Sequence, residues 1–294
     1  MIETAVRSKA RGNPPIARPD AARGWTQANQ PAALLTFVAL AFGWTWGFWW
    51  IASTAVNSQS TALISALFIV SGFGPSVAGL VVVWGFDGRA GLHRWLQRCL
   101  TWRFGVGWYA MAFFGPPLAM IAALAIHAVL GGPLPPLPDA SHIGAPLLQF
   151  GMVLFIGGPI GEEFGWRGYA LPVLANRLGW RWASLIVGAV WGLWHLPLFF
   201  IPGMAQAQMP MALFMASSVA ITVVLARMSV NTGFSVLPAV LFHWAINAWP
   251  AVLPMIPNGG SVRPYVLVMS ILFVIAVIVF LKPGPNPSER HSPK

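Results

Sequence analysis

GGPIGEEFGWRGYALP, residues 157 to 172, sets Glu162, Glu163 and Arg167 inside a segment otherwise suited to hydrocarbon. On a helix Glu163 and Arg167, four positions apart, share a face in the favourable order of acid before base. Glu162 points about 100° away and needs a partner from elsewhere. Whether this stretch crosses a bilayer decides the fold. The chain has 294 residues, 57% hydrophobic and only 8% charged, whereas soluble domains carry about a quarter charged residues. Composition therefore predicts an all-α, polytopic membrane protein.

Apolar runs long enough to span a bilayer, about 18 to 25 residues each, fall near 33–55, 60–84, 106–130, 148–174, 182–201, 209–227, 234–252 and 264–282. That predicts about eight transmembrane helices. The chain then divides into a disordered, basic cytoplasmic tail over 1–32, three accessory spans with a linker over 33–147, a core of four spans over 148–252, and a last span with a second cytoplasmic tail over 253–294. No convincing small-residue cleavage site precedes the first run, so it reads as a retained anchor.

The net charge of +10 does not point to nucleic acid, because the basic residues sit in short clusters between apolar runs. Arg7, Lys9, Arg11, Arg18, Arg23, Arg89, Arg94, Arg98, Arg103, Arg177, Arg181, Arg227, Lys282, Arg290 and Lys294 all fall on one side if eight spans alternate. Arg263 alone falls on the other. By the positive-inside rule both termini are expected in the cytoplasm, with the chain multi-pass in the cell membrane and lipid around it. The one cysteine, Cys99, excludes an internal disulfide. In the linker, Leu92, Trp95, Leu96 and Cys99 recur at helical spacing opposite Arg94 and Arg98, which fits an interfacial helix or a plain basic loop. Gly-Phe-Gly-Pro at 72–75 and Gly-Pro-Pro at 115–117 are expected to interrupt spans two and three, PLPPLPDA from 133 to stiffen an outer loop, and Trp102 and Trp180 to lie in an aromatic belt.

Of seven acidic residues, only Glu162 and Glu163 fall within spans, where each costs roughly 2.5–3.5 kcal/mol on insertion scales. The Glu163–Arg167 pair has an architectural reading, an ion pair that fixes packing. Other polar groups lie on later spans: His195, four residues after Trp191 in WGLWHLP, and His243 with Asn247 at i and i+4 in HWAIN. His127, near the outer end of span three, reads as hydrogen-bonding glue. Counted from the cytoplasmic ends of their spans, Glu162, His195, His243 and Asn247 lie roughly 14 to 20 Å deep, which predicts convergence on one site. A buried carboxylate beside an imidazole deprotonates water. Glu and His also bind zinc, Glu162, His195 and His243 being the candidate ligands. A second His with an amide steadies an oxyanion. The set suffices for peptide hydrolysis.

EEFGWR, WGLWH and HWAIN together resemble the three motifs of the CPBP family of intramembrane proteases, which includes type II CAAX prenyl endopeptidases and bacteriocin-associated homologues: EExxxR, an aromatic four positions before a His, and HxxxN. The resemblance covers about 148–252. It implies that Glu162 and His195 activate water, that Glu163 and Arg167 support them, and that His243 and Asn247 hold the oxyanion. Trp191 departs from the Phe common at its position, which bears on pocket shape more than on chemistry. The ligand types permit zinc (Zn2+) or a metal-free mechanism. The expected substrate is a membrane-associated protein or peptide, CAAX-type prenylated in one branch of the family. Rival readings are a proton- or ion-coupled transporter, which would string polar groups across the bilayer, and a non-catalytic scaffold or immunity protein that keeps the cluster for packing.

Overall fold

The computed structural model describes residues 30–55, 60–134, 144–156, 158–255 and 261–283. The basic tail up to residue 29, most of the proline-rich loop, Gly157, Arg290 and Lys294 lie outside the described residues. All regular elements among the described residues are helical: α1 Gln30–Ala55, α2 Thr61–Ser71, α3 Gly74–Cys99, α4 Val106–Val129, α5 Gly144–Met152, α6 Pro159–Gly165, α7 Leu171–Trp194, α8 Met211–Asn231, α9 Leu237–Ala248 and α10 Arg263–Leu281. A π-helical turn, Trp166–Ala170, joins α6 to α7, and 3-10 turns follow α7 and α9.

Five helical runs are long and apolar enough to cross a membrane, or six when the bent pair α2 and α3 counts as one crossing. The expected eight differ from this in two places. Spans four and five form one run of 42 residues, Pro159–Phe200. At 1.5 Å per residue it would reach roughly 63 Å, about twice the hydrocarbon thickness. It breaks at Gly179, whose φ of 77° and ψ of 157° are not helical, in the predicted inner turn. Span seven is the other: α9 has only 12 residues before Trp249 and Pro250 divert it. Span four is also shorter than predicted, because α5 ends at Met152 and α6 begins only at Pro159.

The bend between α2 and α3 is 44° and falls at Gly72–Phe73, as the Gly-Phe-Gly-Pro stretch predicts. Its freed carbonyls find donors on α1: Thr45 Oγ1 donates to Ser71 O at 2.7 Å and Trp44 Nε1 to Val70 O at 2.9 Å, which is how hydrocarbon tolerates a broken helix. The second expected interruption does not occur. Helix α4 runs unbroken through Pro116 and Pro117, both buried, since a prolyl ring removes a donor without forcing a break where neighbours pack closely. The linker is helical, continuing α3 after a non-helical Gly88. Trp95 and Cys99 are buried while Arg94 is exposed, so its apolar face turns inward. Trp102 is exposed as a belt residue would be, but Trp180 lies beneath the guanidiniums of Arg181 and Arg227, 5.1 and 5.8 Å from its ring.

Two Gly-xxx-Gly pairs position the core. A Cβ on Gly161 would collide with the Gly72 carbonyl, and one on Gly165 with the Pro75 carbonyl, so α6 rests backbone to backbone on the α2–α3 bend. On α7, a Cβ at Gly188 would lie 2.6 Å from Val219 Cα and one at Gly192 3.0 Å from Met215 Sδ, which brings α7 close to α8. Small residues spaced by four let membrane helices approach where no hydrophobic force draws them together.

Candidate active site

The acidic motif sits on a short helix held at both ends. Gly158 enters with φ 60° and ψ −113°, a conformation that favours glycine, and Pro159 starts α6. Beyond the motif, Pro172 supplies no N–H and its ring crowds the carbonyl four residues back, that of Gly168. The chain relaxes into the π-turn there, and Gly168 O accepts instead from Trp95 Nε1 at 3.0 Å and Arg98 Nη2 at 2.7 Å. The linker helix thereby takes over the hydrogen bond that proline forfeits.

Glu163 and Arg167 are both fully buried and paired, Arg167 Nη1 donating to Glu163 Oε1 at 2.9 Å. The second guanidinium nitrogen, Nη2, donates to Thr222 Oγ1 on α8 at 2.8 Å. The guanidinium plane lies over the Trp191 ring, 4.3 Å from its centroid. This is the architectural pair expected from the i, i+4 spacing, but it is not self-contained: His243 Nδ1 donates to the same Glu163 oxygen at 2.8 Å, a direction fixed because an ionised carboxylate only accepts. His243 Nε2 therefore faces away from Glu163.

Glu162 uses its own partners. Oε2 accepts from Trp191 Nε1 at 2.6 Å. A Cβ on Gly158 would lie 3.9 Å from Oε1, 3.8 Å from His243 Nε2 and 3.3 Å from Asn247 Nδ2. These three polar atoms thus surround one small volume that only a glycine leaves open. Glu162 and His243 are buried, whereas Asn247 is exposed and marks the open side.

His195 caps the end of α7, where Pro197 prevents the α-helix from continuing. Its Nδ1 donates to the Trp191 carbonyl at 2.9 Å, so in the neutral ring Nε2 carries the lone pair. The His195 and His243 rings stand edge-on to one indole, at 5.4 and 5.5 Å from Trp191. The structure thus gathers all six residues singled out from sequence, on α6, the π-turn, α7 and α9. His127 is elsewhere in role, its imidazole lying against Gly132 at the end of α4.

The sequence reading missed Thr222 and the donor function of Trp191. The two Gly-xxx-Gly spacings were the available signal for the close helix approaches; nothing in the sequence marked Thr222. Among the described residues no three His, Cys, Asp or Glu side chains form a set that could hold an ion; the Nδ1 bonds of His195 and His243 leave their Nε2 atoms as the nitrogens a metal would use.

Residues 144–249 match the family model described as Type II CAAX prenyl endopeptidase Rce1-like. Over 126 residues the chain is 28% identical to CAAX prenyl protease 2 of Methanococcus maripaludis, a stretch that covers 41% of this chain and 45% of that relative. The chain thus spans less than half the length of the curated relative it matches. The segment that holds Glu162, Glu163, Arg167, Trp191, His195, His243 and Asn247 falls within 144–249, the stretch that is similar to the Rce1-like family model.

Proposed function

We propose that the chain is an intramembrane endopeptidase that hydrolyses a peptide bond in a membrane-associated protein or peptide. The observation that carries the reading is the meeting of Glu162 Oε1, His243 Nε2 and Asn247 Nδ2 around the space beside Gly158. A water held there donates one hydrogen bond to Glu162 Oε1 and the other to His195 Nε2. As its oxygen attacks the carbonyl carbon, one O–H bond breaks and the proton passes to Glu162, the base within hydrogen-bond reach. The carbonyl oxygen becomes an oxyanion that accepts from Asn247 Nδ2 and His243 Nε2, preorganised donors of the kind that stabilise developing charge. For Nε2 to donate, His243 carries both ring protons, and the Glu163 carboxylate at Nδ1 supports that imidazolium. When the C–N bond breaks, Glu162 returns its proton to the departing amine.

Arg167 neutralises Glu163 and holds it toward His243. No step requires a metal. The name of the Methanococcus maripaludis relative, CAAX prenyl protease 2, suggests a prenylated CAAX tail as the substrate class. The side distribution of Arg and Lys supports a multi-pass cell-membrane protein with cytoplasmic termini and a site reached from the cytoplasmic half. A transporter would need ionisable groups through the full thickness. Among the described residues the buried ionisable side chains other than His127 and the Cys99 and tyrosine hydroxyl-type groups are Glu162, Glu163, Arg167, His195 and His243, one contact set, which favours local chemistry.

The test is cleavage of a prenylated CAAX peptide by the protein in liposomes, beside an unprenylated control. Glu162→Gln and His195→Ala are each expected to lower the rate at least about a hundred-fold. Parental cleavage by either variant refutes the mechanism, and equal cleavage of both peptides refutes the prenyl preference.

A further inference from the structure

The two oxygens of Glu162 are not equivalent. Oε2 is held by Trp191 Nε1 at 2.6 Å, whereas Oε1 faces the space beside Gly158. Trp191 is itself fixed from several directions. The Arg167 guanidinium lies over its face at 4.3 Å, the rings of His195 and His243 meet it edge-on, and its carbonyl accepts from His195 Nδ1. One residue of α7 therefore touches Glu162, Arg167, His195 and His243, while being almost wholly buried itself. A phenyl ring would also pack there and take the cation–π contact, though more weakly and with less volume. What it could not supply is the N–H, and that N–H points at the carboxylate.

We infer that Trp191 is a positioning residue for Glu162: its indole N–H ties down Oε2 and so aims Oε1, the oxygen that takes the proton from water, into the space beside Gly158. The inference rests on the hydrolytic reading of Glu162. A hydrogen bond to one carboxylate oxygen fixes the plane of the group and with it the direction of the lone pairs on the other. The other charged or titratable groups around Glu162 are Glu163 on α6, Arg167 in the π-turn, His195 at the end of α7 and His243 on α9. Glu163, Arg167 and His243 are bonded to one another and His195 to a backbone carbonyl, so losing the indole nitrogen leaves all four in place.

The experiment uses the full chain in liposomes and measures kcat and KM for the peptide separately in the parent, Trp191→Phe and Glu162→Gln. Trp191→Phe is expected to lower kcat about ten-fold while KM stays within about two-fold, because the carboxylate loses its orientation and the substrate contacts remain. An unchanged kcat in a folded Trp191→Phe protein overturns the inference. An active Glu162→Gln instead removes the hydrolytic reading, a separate outcome. Should Trp191→Phe fail to fold, or the parent not cleave, the indole N–H resonances of the parent and Glu162→Ala read the contact itself: one strongly hydrogen-bonded indole proton is expected in the parent and lost in Glu162→Ala, and identical indole resonances in the two overturn the proposal.

Discussion

His243 Nδ1 lies 2.8 Å from Glu163 Oε1, across 80 positions of sequence, and that oxygen also takes Arg167 Nη1 at 2.9 Å. A single buried atom thereby couples α9 to the acidic motif and sets which ring nitrogen of His243 looks into the site. Removing one member of a buried ion pair leaves its partner charged and unsolvated, at a cost of about 3–5 kcal/mol. Glu163→Ala is expected to destabilise by that amount, read as a fall in thermal unfolding temperature in detergent. Activity should fall further than stability explains, because His243 loses its orientation. Unchanged melting would show that Glu163 does not bear on the pair.

Arg167→Lys is not expected to rescue Arg167→Ala. The guanidinium reaches Glu163 with Nη1, Thr222 with Nη2 and the Trp191 face with its plane, and an ammonium cannot meet all three at once. Thr222→Val removes one of these hydrogen bonds and should cost about 1–3 kcal/mol, since a charged donor is left short of a partner. Unfolding measurements on the two variants check both expectations.

Gly165→Ala should be damaging out of proportion to one methyl group, since its Cβ would collide with the Pro75 carbonyl, which is backbone and cannot rotate away. An overpacking cost of about 1–3 kcal/mol and displacement of α6 from α3 are expected, with loss of cleavage. Gly107→Ala on α4, where a Cβ meets nothing within 4 Å, is the control. Equal melting temperatures for the two would show that the α6–α3 approach is not tight.

How much of this was legible in the sequence follows from which signals are local. Helix content, the bend at Gly72 and the i, i+4 pair of Glu163 with Arg167 depend on neighbouring residues and were readable. Hydropathy, however, registers only the summed apolarity of a window. It reports neither that α5 ends at Met152 nor that α9 is too short to cross by itself, and it cannot distinguish a Pro that bends a helix from Pro116 and Pro117, which do not. The candidate residues drew attention because polar and ionisable groups in hydrocarbon are costly enough to stand out. Thr222 costs little there and gave no such signal. Trp191 was visible, but as bulk; its hydrogen bond depends on the relative rotation of two helices, which no spacing along one chain encodes.

Metal removal gives a fourth expectation. Because the His, Asp, Glu and Cys side chains form no ligand set among the described residues, cleavage should persist after exhaustive treatment with a zinc chelator, and elemental analysis of the active protein should find less than about one tenth of an ion per chain, far below a site of the usual affinity. Chelation that abolishes activity, with recovery on adding zinc, would overturn the metal-free mechanism.

Gly158→Ala tests the space itself. The substitution forces an L-residue into φ 60°, ψ −113°, a strain of about 1–3 kcal/mol, and it sets a methyl group among Glu162 Oε1, His243 Nε2 and Asn247 Nδ2. Strain and blockage need separating. Gly179 has a comparable φ of 77° but nothing within 4 Å of its would-be Cβ, so Gly179→Ala carries a similar backbone penalty without filling any site. Both variants are expected to melt lower than the parent, and only Gly158→Ala to lose cleavage, because the methyl group takes the place where water and the scissile carbonyl must meet. If Gly158→Ala cleaves as well as Gly179→Ala, the reaction does not take place beside Gly158.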